Sequence, residues 1–200
     1  MRCEACAEAI ANMAIPVLPQ SNHPLRDRAL FDLAIDSKLR GCDLVRMKIG
    51  DIVSGGQIRT RAIVMQQKTS RPVQSEWLAD ARASLLAWLE RRGGTVDDYV
   101  FPSRVDHDRH LSTRQFARLV DDWVTAVGLM QSEYGTHSLW RTKASIIYRA
   151  TGNLRAVQIL LGHSKIENTA DPCISGWSDT LTTCRWEQKH RLYHLARFSC

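Results

Sequence analysis

Five apolar residues, Phe116, Leu119, Val120, Trp123 and Val127, recur at three- and four-residue steps between Ser112 and Gly128. That spacing puts them on one face of a single helix. Ser112 followed by Gln115 has the form of a capping box, and Gly128 supplies the stop. An apolar stripe this continuous has to be covered by other parts of the chain. It is therefore read as an inner wall of a helical body and not as a platform for stacking bases.

The remaining elements follow from the same kind of pattern. Leu25 to about Asp36 carries Leu30, Leu33 and Ala34 at helical spacing. A turn over residues 37–41 leads into a second helix through Leu44 and Met47. Gly55-Gly56 marks a turn, and Gln57 to Gln66, rich in Ile and Val, predicts a strand. Lys68-Thr69-Ser70 forms a polar turn, and Arg71 to Gln74 pairs back, with Pro72 confining that partner to an edge. Lys68 thus sits at the tip of a hairpin. Ser75 to Arg92 predicts a helix with Leu78, Leu85, Trp88 and Leu89 inward, stopped by Gly93-Gly94. Further helices are expected over Leu139 to Ala150, over Asn153 to Leu161, and from Ser164. The fold class is mostly α with a small antiparallel β-sheet (α+β).

A chain of 200 residues suits one ordinary domain. Residues 1–24 hold Pro16, Pro19 and Pro24 with no period, and read as a loose leader. The domain runs over 25–169. Residues 170–200 form an atypical tail in which Cys173, Trp177, Cys184, Trp186 and Cys200 crowd together without apolar periodicity. Such composition is what codons read out of frame produce. The formal net charge of +6 favours a polyanionic partner, nucleic acid first. No apolar run is long enough to span a bilayer, and no basic segment followed by an apolar one marks a secretory signal. No membrane partner and a cytoplasmic location are expected. The six cysteines then need not pair; Cys3 and Cys6 form a lone CxxC with no second pair at zinc spacing. His107 and His110 lie in an Asp-rich loop and read as surface. No metal and no cofactor are expected.

The chemistry resides in five residues. Arg40 stands in Leu39-Arg40-Gly41-Cys42-Asp43-Leu44, and Lys68 in Gln67-Lys68-Thr69. His137 and Arg141 stand in Gly135-Thr136-His137-Ser138-Leu139-Trp140-Arg141, and His163 in Leu160-Leu161-Gly162-His163-Ser164. Breaking a phosphodiester without metal needs cations on the non-bridging oxygens, an acid for the leaving oxygen and a nucleophile. A guanidinium grips phosphate bidentately, and preorganised donors of this kind carry much of the rate. A lysine at a hairpin tip can act as the acid, and histidines can move protons or donate to phosphate. Taken singly, each is an ordinary surface residue; the ordered set is what carries the reading.

That ordered set resembles the tyrosine recombinases of the phage-integrase type, in the compact form found on plasmids and mobile elements. The likeness covers roughly Leu25 to Thr169, the catalytic domain. It implies an integrase-like fold and site-specific DNA breakage and rejoining through a covalent 3′-phosphotyrosine, without ATP or metal. Arg40 would clamp the phosphate, and Asp43 would stabilise the fold around it. Lys68 would protonate the leaving 5′ hydroxyl, His137 would handle the nucleophile's proton, and His163 would contact the scissile phosphate. The partners implied are double-stranded DNA and other recombinase protomers on it. Arg71, Arg114, Arg118 and Lys143 are the basic residues expected on the DNA backbone.

Three departures stand out. The family places its second arginine three residues after the histidine, where this chain has Trp140; Arg141 is one step further, rotated by about 100°. The nucleophilic tyrosine should follow His163 closely, yet residues 164–192 contain none and Tyr193 lies far downstream, so the nucleophile is unknown. Residues 1–24 are too short to form the family's N-terminal DNA-clamping domain. Activity is therefore expected to be impaired. The alternatives are a non-catalytic DNA-binding remnant, or a small basic regulator of helix-turn-helix type.

Overall fold

A computed structural model of the chain describes residues 21–161, apart from Lys38, Thr69, Arg71, Glu133, His137, 140–147 and 149–150. The expected leader, apart from its last few residues, and the expected tail lie outside the described residues.

The chain enters through α1 (Pro24–Ser37). Pro24 suits a first helical position because its missing N–H would have no intrahelical partner there. Ala29, Leu30, Phe31, Leu33 and Ala34 are buried. Arg26 and Asp27 are buried as well, joined at 2.7 Å. Two short helices follow, α2 (Gly41–Val45) and α3 (Ile49–Ile52). Next come two antiparallel ribbons, β1 (Val53–Ser54) with β2 (Gln57–Ile58), and β3 (Arg61–Met65) with β4 (Pro72–Glu76). The long helices α4 (Ala79–Arg92) and α5 (Thr113–Ala126) lead to α6 (Leu154–Leu161). Thr136, Ser138, Leu139, Tyr148 and Thr151 are also helical.

The α5 stripe is core, as its spacing predicts. Phe116, Leu119, Val120 and Trp123 are buried, and Trp123 meets Phe31 of α1 edge-on with ring centroids 5.7 Å apart. Ser112 Oγ accepts from the Gln115 backbone N–H at 3.1 Å. Gly128 closes the segment at φ +76°, a conformation that costs a glycine nothing.

Two expectations need correction. The strand expected over 57–66 is broken at residues 59–60, so the sheet is two ribbons instead of one. The break follows from Arg59, whose N–H turns to the Ile52 carbonyl at 2.8 Å. The helix expected from Ser75 starts at Ala79. Ser75 belongs to β4 opposite Ala62, and its hydroxyl donates to the Ser37 carbonyl, so the strand holds it. Asp36 then accepts the Leu78 N–H at the mouth of α4, which fixes where that helix begins. Leu78, expected inward, is 61% exposed; Trp77, one residue earlier, is buried instead. Trp77 also donates its backbone N–H to the Thr60 carbonyl at 2.9 Å, clasping the base of the β3–β4 ribbon.

The segment between α4 and α5 packs back on α3. Ile49 N–H donates to the Asp98 carbonyl and Gly50 N–H to the Val96 carbonyl, both at 2.8 Å. Asp98 also accepts the Thr95 N–H at 2.6 Å. That backbone hydrogen bond, aided by nearby Arg92 and Lys48, holds the Asp98 carboxyl below the usual carboxylate range. Among the described residues no helix is long and apolar enough to cross a membrane.

Candidate DNA-phosphate site

Arg40 occupies the N-cap of α2, with φ −66° and ψ 150°. Its carbonyl accepts the N–H groups of Asp43 and Leu44, each at 2.9 Å, so the backbone is committed to the helix while the side chain is left to reach outward. Gly41 explains why α2 lies so close to α5. A Cβ at this position would meet the Phe116 ring at 3.1 Å, so only glycine lets the two helices approach this closely.

The guanidinium of Arg40 is half-buried and reaches the β3–β4 ribbon. Its Nη1 donates to Gln66 Oε1 at 3.1 Å. Gln66 is the last residue before the turn that carries Lys68. Its carbonyl accepts from Ser70 N–H at 2.8 Å, which closes the turn, and Ser70 sits at φ +49°. Lys68 is exposed on this turn. The structure thus joins Arg40 to the turn that bears Lys68 through Gln66, two residues before the lysine.

Asp43 ties the same two elements from below. It is 3% exposed, and its Oδ1 accepts the Gln67 N–H at 2.8 Å. Its Oδ2 is buried with no hydrogen-bond partner among the described residues. At the far end of α2, Arg46 donates from Nη1 to Gln67 Oε1. Sequence reasoning missed Arg46, Gln66 and Gln67. The only available signal was the pair of arginines, Arg40 and Arg46, that flank the short α2 as its N-cap and C-cap.

Arg114 and Arg118 lie one turn apart on α5, both exposed. His137, Arg141, His163, Arg71, Lys143 and Trp140 lie outside the described residues. His107 is exposed. His110 packs edge-on against Tyr99 with centroids 5.3 Å apart, and its Nδ1 lies 2.7 Å from the Leu111 carbonyl. The described residues contain no group of three or more His, Cys, Asp or Glu able to hold a metal.

Arg40, the buried Asp43 and the turn that bears Lys68 are thus linked through Gln66 and Gln67. The chain matches the phage integrase family over residues 6–171. It belongs to that family. Among its integrase-family relatives, the tyrosine recombinase XerC of Chromobacterium violaceum is 32% identical over 152 residues, covering 75% of this chain and 48% of XerC. XerC of Pelobacter propionicus is 31% identical over 171 residues, covering 81% of this chain and 51% of XerC. The chain therefore spans about half the length of these relatives. Solved structures share the integrase fold. The XerA recombinase superposes with a TM-score of 0.66 at 22% identity, over 97% of this chain and 64% of that one. XerH bound to its difH substrate in a pre-cleavage complex gives 0.63 at 19% identity, over 98% of this chain and 52% of that one. A lambda integrase dimer bound to a COC′ core site also gives 0.63 at 19% identity, over 90% and 62%.

Proposed function

We propose that this chain is the catalytic domain of a site-specific DNA recombinase and that it binds duplex DNA through the cradle around Arg40. The observation that carries the proposal is the convergence of Arg40, Asp43 and the Lys68 turn, hydrogen-bonded into one unit. XerH on difH and the lambda integrase dimer on its core site support DNA as partner, and the dimer supports further protomers on the same DNA. In the breaking step a tyrosine oxygen attacks phosphorus, and the 5′ oxygen departs. Given a nucleophile, Arg40 would neutralise the non-bridging oxygens, Lys68 would deliver the proton to the departing oxygen, and His137 would take the proton from the attacking hydroxyl. His163 and Arg141 complete the donors around the phosphate. Arg71, Arg114, Arg118 and Lys143 contact neighbouring backbone phosphates.

Two features of the sequence argue that this copy binds without cutting. Trp140 stands where the family has its second arginine, and a tryptophan offers a phosphate no charge. The chain has four tyrosines, and none lies in the segment just after His163. The test uses a nicked duplex that traps any 3′-phosphotyrosine. Retarded DNA without a covalent adduct is expected, and restoring arginine at Trp140 alone leaves that outcome unchanged. An adduct formed by the unaltered chain overturns the inactive reading; no binding at low salt overturns both.

A further inference from the structure

The cationic groups at the two ends of α2 are already occupied in the DNA-free chain. Arg40 is held by the amide oxygen of Gln66 and Arg46 by that of Gln67. These two glutamines are consecutive and lead directly into Lys68. A neutral amide oxygen on a guanidinium makes the same N–H···O contact as a phosphate oxygen, but without the charge that roughly doubles the strength of the bond. A phosphate brought to Arg40 therefore out-competes the Gln66 amide for the same donor.

The closed arrangement also carries an unfilled hydrogen-bonding capacity. Asp43 is buried and spends Oδ1 on the Gln67 N–H, while Oδ2 has no partner among the described residues. A buried acceptor left in this way disfavours the state that contains it. Ser70 at φ +49° adds a non-glycine residue in the left-handed region to the same turn. Competing acceptors at Arg40, an oxygen beneath the turn with no partner among the described residues and a left-handed serine within it all lie at one place.

We propose that Gln66 and Gln67 are positioning residues that latch the Lys68 turn onto α2, and that a backbone phosphate entering at Arg40 displaces Gln66 and frees the turn. Lys68 is then released toward the departing oxygen only when a phosphate is present. This rests on Arg40 being the phosphate clamp. Gln67 keeps its backbone tie to Asp43, so the turn pivots and does not detach.

The experiment compares hydrogen exchange of residues 66–70 and affinity for a short duplex, using the full chain. Gln66→Glu converts the latch into a charged pair; exchange slows and duplex affinity falls by about tenfold, the factor expected for one strengthened bond. Gln66→Leu removes the acceptor; exchange quickens and affinity rises by about threefold, because the competent state is no longer taxed. Ile63→Glu, on the same ribbon and 70% exposed, adds the same charge away from Arg40; it changes affinity by less than about twofold. Gln66→Asn, too short to reach Arg40, behaves like the leucine variant and serves if leucine prevents folding. Equal affinity losses in Gln66→Glu and Ile63→Glu, or unchanged exchange in both Gln66→Glu and Gln66→Leu, overturn the latch. Arg40→Ala separates the two readings. It quickens exchange in the absence of DNA if the latch exists, and it weakens duplex binding if the clamp assignment holds.

Discussion

Single carboxylates set much of this architecture by accepting a backbone N–H, from a distant element in two cases and from the same loop in a third. Asp36 receives the Leu78 N–H where α4 begins, Asp43 receives the Gln67 N–H at the ribbon, and Asp98 receives the Thr95 N–H in its own loop. Asp36 is 5% exposed, and Asp36→Ala removes the charged acceptor of the part-buried Leu78 N–H. It is expected to cost about 1–3 kcal/mol, read as a lowered urea midpoint. Asp98 gives a pH signature. Its carboxyl is held below the usual range, chiefly by the Thr95 N–H. A depressed folded value means stability that is complete above about pH 5 and lost as the pH falls below about 4. Asp98→Asn is expected to flatten that acid limb of the midpoint-against-pH curve and to leave the neutral slope alone. These acceptors could not be read from spacing, because an Asp within a helical pattern looks the same whether it faces water or a neighbouring N–H. The motifs singled out Arg40 and Lys68 as candidates, and the hydrogen bond between Arg40 and Gln66 joins the segments that carry them.

At the scale of elements, periodicity was a sound guide wherever an element packs along one face. The α5 stripe and its Ser112 cap are as the spacing predicts. Spacing failed at the junctions. The strand break at residues 59–60 and the late start of α4 are decided by tertiary hydrogen bonds from Arg59, Ser75 and Asp36, which carry no local signal. The contact of α2 with α5 is the junction that matters most for the phosphate site. Gly41→Val would drive two methyl groups toward a Phe116 ring that is only 2% exposed and has nowhere to go. It is expected to destabilise the fold by about 2 kcal/mol through overpacking. It should also weaken duplex binding at temperatures where the chain remains folded, because Arg40 moves with its helix. Thermal melts and fluorescence anisotropy on the same samples check both effects. Normal DNA affinity in a folded Gly41→Val chain would show that α2 is not what places the guanidinium.

For the molecule as a whole, a net charge of +6 predicts that the proposed association with DNA depends strongly on salt. Arg40→Ala is expected to lower the magnitude of the log–log salt slope by about one, the signature of a single lost phosphate contact. Arg114→Ala and Arg118→Ala together should lower it further without changing sequence preference; an unchanged slope would assign those α5 residues to a solvated face. One geometric consequence concerns reach. The β3–β4 ribbon is rooted by Trp77, buried in the core and bonded to Thr60, while its far end carries Lys68 in the open. Gln66 and Gln67 clasp that far end to α2, so opening the Gln66 contact leaves a beam rooted at Trp77 that can bend only toward its tip. The reach of Lys68 would then be set by the stiffness of five paired residues and not by any loosening of the interior, so its ammonium would travel while the hydrophobic body stays intact.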